Sequence, residues 1–308
     1  MNILTAESIS KEFTNHKALD NVSLDIPKGS IYGLLGPNGA GKTTFIRIIN
    51  QILNPDEGNV FFDGEKLRPE HIEKIGYLPE ERGLYKKMKV GEQAIYLARL
   101  KGLSRSEASK KLRQWFDKFD LLNWWNRKVE ELSKGMQQKI QFIVTVLHEP
   151  ELLIFDEPFS GFDPINVNLL KDEILNLREQ GSTIIFSTHN MASVEELCDR
   201  IALIDNSRKI LEGNVAELKQ SFKNNVYELL IDGDVDKLNA HLDDAFELQK
   251  VARENGSHKI RVRLPEKSSP NQLLNILIKY YEIRGFTELL PSMNDIFIQQ
   301  VNQNKKRS

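Results

Sequence analysis

The chain has a single cysteine, Cys198, so it cannot form an internal disulfide. It also has no apolar run approaching the roughly 18 residues that a membrane-spanning helix needs. The N-terminus lacks the basic stretch and the apolar core of a secretory signal peptide. These absences favour a reducing, cytoplasmic location, and we expect any role at a membrane to come through a partner.

The chain has no strong charge of either sign, because its formal net charge is −2 over 308 residues. No global basic field is available to attract nucleic acid, so we expect no nucleic-acid partner. The basic C-terminal end, Lys305 to Arg307, is interpreted as solvated. Hydrophobic residues make up 40% of the chain, which excludes a disordered protein. The length suggests about two domains.

A glycine-rich segment matches the phosphate-binding pattern G-x-x-x-x-G-K-[ST] completely. An apolar run, Ile31–Leu35, precedes it and a run with helical spacing follows, which makes a chance glycine-rich turn a poor alternative. We expect the backbone amides to wrap a polyphosphate, Lys42 to reach its terminal oxygens and Thr43 to bind Mg²⁺. The predicted loop residues are Gly36, Pro37, Asn38, Gly39, Ala40, Gly41, Lys42, Thr43 and Thr44.

Two further apolar runs are followed by ionisable residues that can bind a metal ion or take part in catalysis. Leu152–Phe155 is followed by Asp156 and Glu157, and a buried strand would place both carboxylates at its carboxyl edge. Asp156 is suited to hold Mg²⁺ and Glu157 to polarise an attacking water. His189 follows the apolar run from residue 183 to 186 and is suited to contact a γ-phosphate, the alternative being a structural histidine.

The segment Leu132–Met136 precedes a helical run over residues 137–147. The hydroxyl of Ser133, the small Gly135 and the positive end of a helix together can form an anion site. The alternative interpretation is an ordinary helix start.

Alternating apolar strands and helices over residues 1–222 predict an α/β domain with a mostly parallel sheet. Residues ~88–148 form a mostly helical insert, in which Ser104 and Glu107 have the spacing of a capping box. The three tryptophans, Trp115, Trp124 and Trp125, are interpreted as packing residues of this insert, the alternative being a partner interface.

Residues 223–308 predict a second, small α+β domain with the ferredoxin-like order β-α-β-β-α-β. Asn255-Gly256 is the predicted turn between its central strands. A last helix is expected over Ser292–Val301. The other predicted elements are strands at 226–231, 246–253, 259–264 and 286–290 and helices at 234–242 and 270–281.

With these motifs the chain resembles the ATP-binding cassette of ABC transporters, a family of P-loop NTPases. The motifs of that family occur in its usual order over residues 1–222. Residues 36–44 resemble the Walker A loop, residues 75–80 the Q-loop strand, and residues 132–136 the LSGGQ signature. Residues 154–158 resemble Walker B with its catalytic glutamate, and residues 160–163 the D-loop. His189 resembles the switch histidine, and Phe13 lies where the family has an aromatic residue that stacks on adenine.

The resemblance implies an ATPase motor that uses ATP and Mg²⁺. In this family two cassettes meet head to tail, so Ser133 and Gly135 would contact the partner's nucleotide and Asp163 would couple the two sites. The segment around Glu80 and the helical insert would dock integral membrane permease subunits at the inner face of the membrane. The chain departs from the family pattern at Lys134, Met136 and Glu80, where Glu80 replaces a glutamine and remains able to approach Mg²⁺.

The C-terminal domain resembles the extension found on cassettes of bacterial sodium- and drug-export systems. An exporter subunit is therefore the leading hypothesis. The alternative is a soluble ABC-type ATPase switch that is not coupled to transport, although the chain has neither a second phosphate loop nor sustained heptads.

Overall fold

The computed structural model describes residues 1–81, 83–242, 245–254, 256–265 and 268–307. The chain forms two compact units. The first contains Met1–Val215 together with the chain from Gln300 onward, and the second contains Ala216–Gln299. Within the described residues, no helix is both long and apolar enough to cross a bilayer.

The strands belong to three sheets, two in the first unit and one in the second. They are Asn2–Phe13 (β1), His16–Pro27 (β2), Ile31–Leu35 (β3), Glu57–Phe62 (β4), Glu65–Lys66 (β5), Ile75–Leu78 (β6), Leu152–Asp156 (β7), Thr183–Ser187 (β8), Arg200–Asp205 (β9), Arg208–Asn214 (β10), Val226–Asp232 (β11), Glu247–Glu254 (β12), Ser257–Arg263 (β13) and Glu282–Leu289 (β14).

The helices connect these strands and build the helical insert. They are Lys42–Ile49 (α1), Val90–Leu100 (α2), Arg105–Lys118 (α3), Lys134–Val146 (α4), Pro164–Glu179 (α5), Met191–Leu197 (α6), Val215–Ser221 (α7), Leu238–His241 (α8), Pro270–Leu277 (α9) and Met293–Arg307 (α10).

The central sheet of the first unit has the strand order β10-β9-β3-β8-β7-β6. All neighbours are parallel except β10, which pairs antiparallel with β9. Every residue of β3, β7 and β8 is buried, as expected for strands covered on both faces. The predicted mostly parallel sheet is confirmed, and the carboxyl ends of these three strands meet at one edge.

A second, antiparallel sheet has the order β2-β1-β4-β5. Its longest hairpin, β1-β2, closes with Phe13 opposite His16. Several residues of both strands enter the core of the unit, including Leu4, Ile9 and Leu19.

The predicted helical insert is confirmed by α2, α3 and α4. Ser104 caps α3 by accepting a hydrogen bond from the Glu107 amide, and the Glu107 carboxylate accepts one from the Ser104 amide. Aromatic packing holds the insert together, because the Trp115 ring centroid lies 6.3 Å from that of Phe142.

The sheet of the second unit has the order β12-β13-β11-β14 with every pair antiparallel. This order confirms the ferredoxin-like arrangement. One face carries the core of the unit, with Leu229, Ile260 and Leu273 fully buried.

Several predicted boundaries in the C-terminal part were wrong. The helix expected over residues 234–242 consists of a 3₁₀ turn, Val235–Lys237, and the short α8. Helix α9 ends at Leu277 rather than at residue 281, and β14 begins at Glu282 rather than at residue 286. The helix is therefore shorter and the strand longer than predicted. Helix α10 continues to Arg307, six residues beyond its predicted end at Val301, and Lys305 and Lys306 on it are exposed, as expected. The Asn255-Gly256 turn cannot be compared, because Asn255 lies outside the described residues.

We predict that Gly91→Ala destabilises the helical insert. A Cβ at Gly91 would lie 2.4 Å from Cε2 of Trp125. The indole cannot move away easily, because its centroid packs 5.3 Å from Phe116 and the Arg113 guanidinium lies 5.0 Å above it. Overpacking of this kind costs about 1–3 kcal/mol.

The measurement is thermal unfolding, with Gly135→Ala as the matched control. Gly91 and Gly135 are both the second residue of their helices, but a Cβ at Gly135 would meet only Phe162 Cδ1 at 3.9 Å. Equal melting temperatures for the two variants would contradict the packing argument.

Candidate functional site

The glycine-rich loop between β3 and α1 is held by close approaches to two other strands. A Cβ at Gly36 would lie 2.2 Å from the Ile204 carbonyl oxygen, and one at Gly41 would lie 2.3 Å from that of Ala18. Gly39 has no such neighbour, but its φ of +79° favours glycine. Two of the glycines are therefore required by space as well as by conformation.

The loop opens into a cavity of about 450 Å³. Residues from the loop, from the ends of β7 and β8 and from the β1-β2 hairpin line it. They are Phe13, His16, Ala18, Asn38, Gly39, Ala40, Gly41, Lys42, Thr43, Thr44, Glu80, Asp156, Glu157 and His189. The fold thus brings together side chains that are up to 176 positions apart in the chain, from Phe13 to His189. Of the predicted loop residues, Gly36 and Pro37 are not among those that line this cavity, but their carbonyl groups accept hydrogen bonds from Lys42.

Lys42 lies under the loop with its side chain largely buried. Its Nζ donates hydrogen bonds to the Gly36 carbonyl at 2.7 Å and to the Pro37 carbonyl at 3.1 Å. Burial lowers the pKa of Lys42, while the nearby carboxylates act in the opposite direction. A buried cation is therefore directed at the inside of the loop.

Asp156 is the last residue of β7 and only 3% exposed. Its Oδ2 accepts a hydrogen bond of 3.4 Å from the Thr43 hydroxyl. Burial raises the pKa of Asp156, and the negative charges of Glu80 and Glu157 raise it further. A buried carboxylate facing two others is unfavourable by itself and creates a site that favours a cation.

Glu157 has a left-handed backbone, with φ of +49°, and its amide donates to the Ser187 carbonyl at 2.9 Å. Its carboxylate has two partners from the end of β8. The Thr188 hydroxyl donates to Oε2 at 3.2 Å, and His189 Nδ1 lies 2.7 Å from Oε1. The Thr188 side chain is buried and His189 is exposed, so the carboxylate is held at the cavity mouth.

Sequence reasoning missed three residues of this site. Thr188 holds Glu157, and His16 and Ala18 line the cavity beside Phe13. The signal for His16 was present, since a hairpin of β1 and β2 must pair Phe13 with a residue just after the turn.

Phe13 is 44% exposed at the tip of that hairpin, with Lys11 Nζ 5.8 Å from its ring centroid. An exposed aromatic face at the rim of a cavity is available for stacking on a flat ligand.

Ser133, Gly135 and Asp163 do not line the cavity. The Ser133 hydroxyl caps α4 by accepting a hydrogen bond from the Met136 amide at 3.2 Å, and Gly135 is the second residue of that helix. Asp163 caps α5 by accepting from the Ile165 and Asn166 amides, both at 3.1 Å. Ser133 and Asp163 are exposed, so their outward sides are available to a ligand or to another chain.

The strand–loop–helix, its buried lysine and the facing carboxylates define a phosphate-loop nucleotide-binding protein. Comparison with protein families gives the particular class. Residues 19–160 match the ABC transporter family model, and residues 213–301 match the C-terminal domain of DrrA1-3-like ATP-binding proteins. The chain belongs to the ATP-binding proteins of ABC transporters, a family that hydrolyses ATP.

Individual relatives agree with this assignment. The ABC transporter ATP-binding protein YhaQ of Bacillus subtilis (strain 168) is 44% identical over 97% of this chain and 98% of its own length. The lantibiotic transport ATP-binding protein SrtF of Streptococcus pyogenes is 33% identical over 68% of this chain and 90% of its own. A solved structure of an ABC transporter ATP-binding subunit superposes with a TM-score of 0.66 at 30% identity, covering 71% of this chain and 93% of that one.

We predict that Asp156→Asn raises the melting temperature of the nucleotide-free protein. The folded state raises the pKa of this carboxyl, so above that pKa the ionised form destabilises folding. A neutral amide removes the repulsion from Glu80 and Glu157, and we expect a rise of roughly 2–4 °C, or about 1 kcal/mol.

Differential scanning calorimetry at neutral pH measures this effect, with Asp172→Asn as the control. Asp172 is exposed on α5, so its replacement leaves the melting temperature unchanged. A lower melting temperature for Asp156→Asn would show that this carboxylate stabilises the fold.

Proposed function

We propose that the chain is the ATP-hydrolysing motor subunit of a bacterial ABC exporter. It works as a head-to-tail homodimer with separate permease subunits at the inner face of the cytoplasmic membrane. The observation that carries the proposal is that Lys42, Asp156, Glu157 and His189 line one cavity behind a glycine-rich loop.

The phosphate loop and its surroundings suit Mg²⁺–ATP. The loop amides and Lys42 bind the β- and γ-phosphates, and Phe13 stacks on the adenine. Thr43 and Asp156 would hold Mg²⁺, and Glu80, which lines the same cavity, is a further candidate ligand. Within the described residues, no group of three or more His, Cys, Asp or Glu side chains could hold a metal ion alone. The phosphate oxygens of a bound nucleotide would supply further ligands to the ion.

Glu157 is the proposed general base for hydrolysis. Its carboxylate lies at the mouth of the cavity, where it can accept a proton from the attacking water. Thr188 and His189 fix its orientation, and His189 also contacts the γ-phosphate as a hydrogen-bond donor. The Mg²⁺ ion, when bound, neutralises charge on the β- and γ-phosphate oxygens.

The dimer is supported by the place of Ser133, Gly135 and Asp163 outside the cavity. Ser133 and Gly135 present a helix N-terminus to an anion, and within one chain they do not meet the loop. In a head-to-tail pair they contact the partner's γ-phosphate, and Asp163 lies between the two sites. ATP then joins the two chains, and its hydrolysis removes the shared contacts.

An apolar groove beside Glu80 is the proposed docking site for the permease. It has a volume of about 260 Å³ and is lined mainly by side chains from β6, α2 and α4, including Leu97 and Leu100. Leu100 is 62% exposed and Tyr96 of the same helix is 46% exposed. Exposed apolar side chains around a groove are typical of a protein-docking surface.

Export, rather than import, is supported by two similarities. SrtF is named for lantibiotic transport, and the C-terminal unit matches the DrrA1-3-like domain.

We predict that Glu157→Gln abolishes turnover and leaves ATP binding nearly intact. Loss of a general base lowers the rate by about 10²–10⁴-fold. The amide still accepts the hydrogen bond from Thr188, so the cavity keeps its shape. ATP then accumulates in the closed pair, and size-exclusion chromatography with Mg²⁺–ATP shows a dimer.

Phosphate release and ATP titration are measured on the same preparation. The control is Glu92→Gln on the exposed face of α2, which behaves as the parent. Hydrolysis by Glu157→Gln at the parent rate would rule out Glu157 as the base.

A second prediction separates the contacts made across the dimer from those made within one chain. Ser133→Asp keeps an effective cap for α4 but adds a negative charge facing the partner's γ-phosphate. We expect the ATP-dependent dimer of Glu157→Gln to be lost in the double variant, while its monomer binds ATP with unchanged affinity.

The matched control is Ser104→Asp, which changes the other capping serine in the same way on α3. Dimerisation that survives Ser133→Asp would contradict the head-to-tail arrangement and leave the roles of Lys42 and Glu157 standing.

A further inference from the structure

The C-terminal end of helix α10 belongs to the same compact unit as the phosphate loop. Val301, in this part of the helix, is buried. One turn further on, Asn304 Nδ2 donates a hydrogen bond of 2.7 Å to Asp205 Oδ2. The Asp205 side chain is almost inaccessible, with 3% exposure, so this bond satisfies a carboxylate that has little contact with water.

Asp205 lies directly beside one wall of the phosphate loop. It is the last residue of β9, and the residue before it, Ile204, presents the carbonyl oxygen that Gly36 approaches. The contact between Ile204 and Gly36 leaves no room for a Cβ, so a small shift of this strand end changes the start of the loop.

The turn after Asp205 is strained and depends on its neighbours. Asn206 and Ser207 both have left-handed backbones, with φ of +47° and +66°. Asparagine is common at the first position of such a two-residue hairpin turn, but the second position favours glycine over serine, and contacts from outside the turn help to hold it. Asn304 supplies one of them from α10, through Asp205.

The same turn is tied to the other wall of the loop. The Ser207 hydroxyl donates to the Lys17 carbonyl, and the Asp20 amide donates to the Ser207 carbonyl at 2.8 Å. Between Lys17 and Asp20 lies Ala18, whose carbonyl oxygen meets Gly41. The turn therefore connects the supports of Gly36 and Gly41.

We propose that Asn304 is a positioning residue for ATP binding, which α10 uses to hold both walls of the phosphate loop through Asp205. The proposal rests on the proposed function, because it assumes that the loop binds ATP. The matched family regions, 19–160 and 213–301, include none of Lys17, Asp205, Ser207 and Asn304.

The arrangement predicts a specific kinetic effect. Without Asn304 the buried carboxylate of Asp205 draws in water, the strained turn relaxes and the loop amides lose their alignment on the phosphates. Glu157 and Thr188 follow β7 and β8 and keep their own contacts, so the chemical step is preserved. We expect weaker ATP binding with little change in kcat.

The test uses the full chain with Asn304→Leu. We expect the Kd for Mg²⁺–ATP and the KM to rise about three- to tenfold, with kcat changed less than twofold. The exchange variant, Asp205→Asn with Asn304→Asp, keeps a carboxylate–amide bond with the partners reversed and restores both constants. Asn302→Leu makes the same substitution at an exposed position two residues earlier and leaves them unchanged.

Two results would overturn the proposal. One is parent-like Kd and KM in Asn304→Leu. The other is a fall in kcat that matches a loss of folded protein and is not restored by the exchange. Lys42→Ala in the same ATP titration tests the nucleotide site separately from the role of Asn304. If Lys42→Ala loses binding and Asn304→Leu does not, only the role of Asn304 is wrong, whereas unchanged binding in Lys42→Ala rejects the nucleotide site itself.

Discussion

The contact on which the rest of this protein depends is the approach of Gly36 and Gly41 to the backbone of two different strands. The carbonyl groups of Ile204 and Ala18 leave no space for a Cβ at either position. The loop is therefore shaped from outside, by β9 and β2, as well as by its own sequence. This explains why the antiparallel sheet and the far edge of the central sheet, which contribute little chemistry, are needed for the site.

The buried charges of the site are unfavourable unless a ligand is bound. The buried Lys42 shares one cavity with the carboxylates of Glu80, Asp156 and Glu157, and its ammonium donates its hydrogen bonds to the Gly36 and Pro37 carbonyls. Lys42 and Asp156 are buried at a cost without a ligand, and the proposed Mg²⁺–ATP supplies both the cation for Asp156 and the anion for Lys42. Without a ligand the buried charges of the site lack counter-charges. This difference between the empty and the occupied site provides the energetic basis for a switch driven by nucleotide.

Much of the fold was predictable because the buried strands are short and uniformly apolar. The apolar run Ile31–Leu35 coincides with β3 residue for residue, and the capping box at Ser104 located the start of α3. The errors lie in the second unit, where strands are half exposed and helices short. There, residues such as Tyr281 pack from a loop as well as they would from a helix, so the sequence pattern does not distinguish the two.

The sequence by itself determined the phosphate loop, the paired acids Asp156 and Glu157, the histidine at position 189 and the family. These features depend on residues that are adjacent in the chain, where spacing alone carries the chemistry. The tertiary structure decided the contacts between distant segments. Thr188 donates a hydrogen bond to Glu157, His16 lines the cavity beside Phe13, and Asn304 donates a hydrogen bond to Asp205 next to the loop. Such contacts arise from strand order and from the path of the last helix, and no local pattern encodes a hydrogen bond between residues 99 positions apart.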